Sequence, residues 1–319
     1  MDDYDDTPLD GDFQAALARG LLPIREVARL TGVNPVTLRA WERRYGLVLP
    51  QRTAKGHRLY APEHVARIHA VLTWLDRGVP VGQVKGLLRG GQHAGLSSSS
   101  LWDEQRHQLL EAIGALAERR LDERFNAALS IYPPLTLCQQ LLLPLLEALE
   151  TRWGDAYGAR LERVFFNAWL RSKLGARIYH NNRQHGSAPL LLLNPCEQPM
   201  APGLWISAWL ASNAGCAVEV LEWPIPAAEL PLAIARIEPR ALLLYAEQAL
   251  AGPSLARLLA DHGCPLVLAG PAVRIHQREL QELAAQGIRP PLADDPVAAL
   301  QTLSSLGVLA RPEDLPCAN

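Results

Sequence analysis

The sequence predicts a multidomain chain: an all-α head with a small β-wing, a helical bundle, and a C-terminal α/β domain built on a parallel sheet. Three observations predict it. Residues 22–60 combine two short amphipathic helices, a glycine turn and a basic hairpin. A Gly/Ser-rich run, RGGQHAGLSSSS at 89–100, separates that segment from the remainder of the chain. From residue 188, short apolar runs alternate with helical stretches, as the strand–helix units of a parallel sheet do.

The first twenty residues open MDDYDDTPLDGD, hold six Asp and one Arg, and read as an acidic, disordered tail. The head spans 21–90. In it, IREVARLTGV supplies a first helix, with Ile24, Val27, Ala28 and Leu30 apolar and Gly32 as the turn residue. Asn34 is a natural N-cap and Pro35 suits the first helical position, so a second helix starts there. Along it Val36, Leu38 and Trp41 are expected to face a core, and Thr37, Arg39, Arg43 and Arg44 to project outward. After Gly46 and Pro50, a hairpin sets Arg52, Lys55, His57 and Arg58 around Gly56. Helix, turn, helix and wing in that order make a winged helix-turn-helix, whose second helix can enter the major groove of double-stranded DNA. A plain helical hairpin with a solvated basic face would need neither the cap nor the wing.

Charge is segregated in the same way. Residues 21–90 hold 12 Lys+Arg and 4 Asp+Glu, net +8, while residues 1–20 and 91–319 are each net −5. The whole-chain value of −2 hides one domain with a phosphate-binding footprint.

A Gly/Ser linker at 91–100 leads to a bundle at 101–184. Ser100 with Asp103 suggests a capping box opening the helix LWDEQRHQLLEAIGALAERR, and helical patterns continue at 121–132, 134–151 and 157–182. In the α/β domain, 185–319, the apolar runs fall at 189–194, 217–221, 241–245 and 265–270. Helices are expected at 203–214, 227–237, 252–262 and 275–286.

Composition bounds the rest. With 49% hydrophobic and 20% charged residues, the chain is that of a soluble globular protein, and no apolar run reaches the ~18 residues of a membrane span. The start lacks a basic-then-apolar secretory signal, so a cytoplasmic location is expected. Cys138, Cys196, Cys216, Cys264 and Cys317 are scattered without metal-ligand spacing and read as free thiols, so neither a metal nor a catalytic residue is expected. His180, His185, His262 and His276 are isolated and read as surface or loop residues. Trp205 and Trp209, at i and i+4, read as core or subunit contact. Glycines 263, 270 and 287 do not form a dinucleotide fingerprint. With these segments accounted for, no separate catalytic domain is expected, and the chain does not read as an enzyme.

The segment from Leu22 to about Arg89 resembles the DNA-binding domain of the MerR family of transcription regulators. The likeness is carried by IREVARLTGVNPVTLRAWE, PQRTAKGHRLY and VARIHAVLTWLDRGVPVGQVKGLL, and the wording is closer to the CarH, LitR and MlrA branch than to the metal-sensing branch. The resemblance implies that the bundle and the Rossmann-like domain form a cobalamin-binding-like module. It also implies that the family's cobalamin ligands are missing here. In the loop CEQPMAPG, Glu197 is present but Pro199 stands in the histidine position, and Gly203 is displaced by one. Trp153 is followed by Arg163 and Val164 where the family has Glu-His. The strand end that usually offers a small residue carries Tyr245, and the usual Gly-Gly becomes Ala269-Gly270. No cofactor is therefore expected. The module is left to hold a homo-oligomer, a dimer or tetramer, or to receive a partner, which the resemblance suggests is a flavin-based blue-light photoreceptor protein. Cobalamin or other small-molecule sensing is the alternative.

DNA contacts are expected from Thr37, Arg39, Arg43 and Arg44 on the second helix, with Trp41 and Tyr45 bracing it, and from Arg52, Lys55, His57, Arg58 and Tyr60 of the wing. One such head buries ~600–1,000 Å² and usually acts in pairs on two half-sites. The branch implies repression.

Overall fold

In the computed structural model, which describes residues 16–90, 98–154, 157–196, 201–250, 252–260 and 262–309, the chain divides into two compact units. The first is Met1–Ala112 with Arg119–Leu145, and the second is Ile113–Glu118 with Leu146–Asn319.

The described part of the first unit starts within the expected acidic tail. Residues 16–18 are helical and Ala16 is buried, so only residues 1–15 of the acidic tail lie outside the described residues. Strand β1 (Leu22–Pro23) leads into helix α1 (Ile24–Thr31), which ends at Gly32 with φ 68°. That left-handed conformation suits glycine and turns the chain for the next helix. Helix α2 (Pro35–Ala40) is capped by the Asn34 side chain, which accepts from the Val36 N–H at 2.8 Å. It runs on into a single π-helical turn, Trp41–Tyr45, closed by Gly46.

Two facing assignments are corrected here. Val36 is exposed and Thr37 is buried. The inward seam runs through Thr37, Leu38 and Trp41, spaced i, i+1 and i+4, so Val36 falls on the outside of the first turn.

Strands β2 (Gln51–Arg52) and β3 (Arg58–Tyr60) form the antiparallel wing, and β1 pairs with β3 (Leu22↔Tyr60), giving the order β1-β3-β2. Helices α3 (Pro62–Asp76) and α4 (Val81–Leu87) complete the head.

Next come α5 (Ser98–Gly114), α6 (Glu118–Leu129) and α7 (Pro134–Leu137), which passes through a π turn (Cys138–Leu142) into α8 (Leu143–Trp153). Because α5 starts at Ser98, Ser100 is not its N-cap. Its pattern also breaks at 115–117, where Leu116 takes φ 51°. Residues 91–97 of the linker lie outside the described residues, and 98–100 are already helix. Among the described residues, several hydrogen bonds tie this part to the head. The Trp41 indole donates to the Ile131 carbonyl (2.8 Å), the Trp102 indole to the Gly78 carbonyl (2.7 Å), and the Thr136 hydroxyl to Asp76 (3.2 Å).

The second unit holds α9 (Ala159–Asn182) and a five-stranded parallel sheet: β4 (Leu190–Leu193), β5 (Val218–Leu221), β6 (Ala241–Tyr245), β7 (Leu266–Ala269) and β8 (Leu292–Ala293). The order is β5-β4-β6-β7-β8, so the winding reverses between β4 and β6. Ligands in open parallel sheets bind at such a point, beyond the carboxyl ends of the strands. Every residue of β4 and β6 is buried, as the continuous Leu runs require of central parallel strands. Helix α10 (Pro202–Asn213) packs on α9 and is buried from Gly203 to Ser212, which places Trp205 and Trp209 in the core. Strand β8 and the last helix, Pro296–Ser305, have no counterpart among the elements expected from the sequence.

Candidate nucleic-acid interface and C-terminal cavity

Arg39, Arg43 and Arg44 project from the second helix and its π turn, all three exposed. No ion pair engages them among the described residues. Lys55 and His57 sit exposed at the wing tip around Gly56 (φ 86°). The tip is closed by reciprocal bonds, the Thr53 N–H to the His57 carbonyl (3.0 Å) and the His57 N–H to the Thr53 hydroxyl (3.1 Å).

Glu42, absent from the expected contacts, holds the helix and wing together. Its carboxylate accepts from Arg52 at 2.6 Å and from Arg58 at 2.5 Å. Burial pushes the Glu42 pKa up, but the bonds from Arg58 and Arg52 outweigh it and hold the carboxyl below its ordinary value. Arg58 is largely committed to this bridge, while Arg52 keeps about half its side chain exposed. An acid amid so basic a segment is the signal in the sequence that points to such a brace. Arg67 has no comparable signal; its guanidinium donates to the Leu47 carbonyl and secures the chain leaving the recognition helix.

Two expected contact residues, Thr37 and Tyr60, are corrected to interior positions, and Trp41 lies in the core it was expected to face. Thr37, Trp41 and Tyr60 are 3%, 0% and 1% exposed and present no side-chain surface to a duplex. Trp41 completes the apolar seam of α2. Tyr60 lies on the inner face of β3, where burial first, and Glu42's charge second, push its hydroxyl up to about 12. Tyr45 is half-buried.

In the second unit, a cavity of about 580 Å³ opens at the carboxyl ends of β4 and β6, the winding switch point. Asn194 and Cys196 come just after β4, and Glu247 and Gln248 just after β6. Glu150, Arg160, Arg163, Val164 and Asn167 come from α8 and α9, and Ala201 and Pro202 from the start of α10. The Gly203 N–H donates to Glu247 at 2.8 Å. Burial foremost raises the Glu247 carboxyl to about 7; the Gly203 bond opposes this, Glu150 adds to it and Arg163 opposes it. Cys196 is a buried thiol, its pKa raised by burial, so it is not an activated nucleophile.

Of the family-pattern positions, Trp153 is buried, with its indole donating to Glu162 at 3.2 Å. The Arg163 guanidinium lies 4.8 Å above the Trp153 ring and bonds Glu150 at 2.9 Å. Val164 is 60% exposed. The Tyr245 ring fills the space between two glycines. A Cβ on Gly203 would fall 2.2 Å from that ring, and one on Gly270 would fall 3.1 Å from it. Glu197 and Pro199 lie outside the described residues. His276, expected at the surface, is buried, and its Nε2 accepts from the Leu250 N–H at 2.8 Å. No described helix is long and apolar enough to cross a membrane.

Residues 22–91 match the MerR HTH family of regulatory proteins, and residues 105–178 match a B12 binding domain. The HTH-type transcriptional regulator MlrA of Escherichia coli strain K12 is 34% identical over 203 residues, which is 63% of this chain and 79% of that protein. Two Myxococcus xanthus proteins align over more of the chain. The HTH-type transcriptional repressor CarH is 26% identical over 82% of this chain and 92% of its own length. The HTH-type transcriptional repressor CarA is 27% identical over 83% and 92%. Among solved structures, the methanol:cobalamin methyltransferase complex MtaBC from Methanosarcina barkeri matches at 15% identity and a TM-score of 0.33, over 67% of this chain and 86% of that one, too loosely to support any inference. The chain belongs to the MerR family of helix-turn-helix transcriptional regulators, in the branch that contains MlrA, CarH and CarA.

Proposed function

We propose that this regulator acts as a sequence-specific repressor, binding operator DNA as an oligomer through paired heads. The observation that carries the reading is the row of exposed guanidiniums, Arg39, Arg43 and Arg44, without ion pairs among the described residues and beside a basic wing. On this reading the arginines reach base edges or adjacent phosphates, while Arg52, Lys55 and His57 hold the flanking backbone. Paired heads follow from the modest area that one head can bury. Repression is carried over from the names of the CarH and CarA relatives. The test is competition binding at about 0.15 M salt, between a duplex enriched from random sequence by the protein and its scrambled counterpart. Equal affinity for both ends the reading. Sedimentation with and without DNA tests the dimer or tetramer.

The C-terminal module on this reading works without cobalamin. Arg163 and Val164 replace the expected Glu-His, Pro199 replaces the ligand histidine, and Tyr245 closes the space between Gly203 and Gly270. These residues do not suit a histidine-ligated corrin. The module's proposed role is to hold the oligomer and to receive a flavin-based blue-light photoreceptor that releases the head from DNA. Operator affinity that is the same with the photoreceptor in the dark and in the light removes that role.

A second reading, cobalamin or other small-molecule sensing, is favoured by the cavity itself, whose 580 Å³ lies in the range of small-ligand sites. An absorbance spectrum after mixing with adenosylcobalamin in the dark decides whether the cobalamin form of it stands.

A further inference from the structure

Oppositely charged segments adjoin one another in the first unit. Residues 1–20 are net −5 and residues 21–90 net +8. Ala16, the first described residue, is 1% exposed. Its carbonyl accepts from the amides of Arg19 and Leu21, both at 3.1 Å. It lies just ahead of Leu22, whose strand pairs with the wing strand Arg58–Tyr60. The acidic stretch therefore joins the described chain six residues before the strand that pairs with the wing.

Asp2, Asp3, Asp5, Asp6, Asp10 and Asp12 stand four to fourteen residues from that anchor, a reach of at most about 13 to 50 Å. A 70-residue globule has a radius of gyration of only ~11 Å, so the outer face of the recognition helix is within range of the tether. That face presents Arg39, Arg43 and Arg44 without ion pairs among the described residues. The head's own Glu26 and Glu42 are already engaged, by Arg29 and by Arg52 and Arg58.

We propose that the acidic segment Asp2–Asp12 docks on the basic face of its own head, over Arg39, Arg43 and Arg44, and competes there with DNA. The proposal rests on reading that face as the DNA interface. A short tether supplies an effective concentration in the millimolar range, so even a weak contact is substantially occupied. Competition weakens specific and random binding by one common factor. Random DNA, bound at only ~10⁻⁴–10⁻⁶ M in such systems, then falls below useful occupancy while a tight operator stays bound. Docking is itself ionic and fades as salt rises, so the arm flattens the salt dependence of DNA binding.

The experiment compares four full-length chains by fluorescence anisotropy on one operator-like and one random duplex, from about 50 to 300 mM salt. They are the parent, a deletion of residues 2–12, a variant with all six aspartates changed to Asn, and one with all six changed to Glu. The deletion and the Asn variant bind both duplexes about five- to tenfold more tightly at 50 mM and under twofold more tightly at 300 mM, with a steeper log–log slope. The Glu variant matches the parent. If deletion tightens binding and the Asn variant does not, charge is not the agent and the proposal fails. Parent-like binding by all four chains also overturns it. An effect that vanishes on tenfold dilution places the arm on a second copy and overturns docking within one chain. If no chain binds either duplex, the DNA-binding reading of the face is what has failed.

Discussion

Changing Glu247 to Gln should stabilise the second unit in a way that depends on pH. The fold raises this carboxyl from 4.5 to about 7, chiefly by burial at the end of β6. A raised native pKa means that the native state binds the proton more tightly than the unfolded chain does. The ionised form is therefore a penalty that is nearly absent below pH 4.5, grows between 4.5 and 7, and is complete above 7. A gap of about 2.5 units at 1.36 kcal/mol each is ~3 kcal/mol, and some residual exposure of the carboxyl brings this nearer to ~2–3. Glutamine keeps an oxygen for the Gly203 N–H, now 2.8 Å from the carboxylate, and removes only the charge. Denaturant unfolding of parent and E247Q at pH 5, 6, 7 and 8 measures the effect, with the buried Trp205 and Trp209 as reporters in the same unit. The advantage of the variant should widen by about 2 kcal/mol from pH 5 to pH 8. A difference that stays constant across that range would refute the reasoning, because the benefit would then come from packing and not from the buried charge.

Other expectations concern the head. Replacing Arg43 or Arg44 with Ala should cost ~1–3 kcal/mol on the operator if the side chain makes a bidentate guanine contact, and relax preference at that base pair. Lys55→Ala at the wing tip should instead weaken all sequences equally and lower the salt slope by ~1; equal losses on operator and random DNA in the helix variants would contradict this division. Trp41→Phe keeps an aromatic ring in the core but leaves the Ile131 carbonyl without its 2.8 Å donor, a loss of ~1–3 kcal/mol in thermal or denaturant stability. An unchanged midpoint would show that the indole bond contributes nothing net.

Much of the architecture is legible in the sequence because it depends on local rules. Asn34-Pro35 marks a helix start, and Gly32, Gly46 and Gly56 each take a positive φ that other residues resist. The runs LLLL and ALLLY can only be central parallel strands once helical units alternate with them. Features set by tertiary context are not legible in this way. The inward seam at Thr37, Leu38 and Trp41 is set by what the head packs against, so a reading from residue polarity puts the apolar Val36 inside and the polar Thr37 outside, the reverse of the fold. The partner of Trp41 lies ninety residues away, beyond any local pattern. His276 looks solitary in sequence, yet its ring nitrogen satisfies a buried backbone amide. Strand β8, two residues long, is too short to show alternation.

The one acidic side chain on the recognition element explains how the head can be both charged and ordered. Three exposed guanidiniums and an unbraced basic hairpin would grip phosphate in many poses, which favours affinity over discrimination. Glu42 restricts those poses by holding Arg52 at 2.6 Å and Arg58 at 2.5 Å, which fixes the wing relative to the helix and takes one positive charge from the surface. Changing Glu42 to Gln should release both arginines. Random-sequence binding should then strengthen and its salt slope steepen by ~1–2, at about 0.9 per added phosphate contact. The operator should gain less, because the freed wing no longer sets the helix in register, so the ratio of specific to random affinity falls. The bridge also stabilises the head: the lowered Glu42 pKa places that contribution above the ordinary carboxylate range, with loss as pH falls through the native value. Anisotropy titrations of E42Q on operator and random duplexes read the first effect, and unfolding between pH 3 and 7 reads the second. A variant that gains on operator and random DNA by the same factor would leave Glu42 as a mere charge neutraliser and rule out a geometric brace.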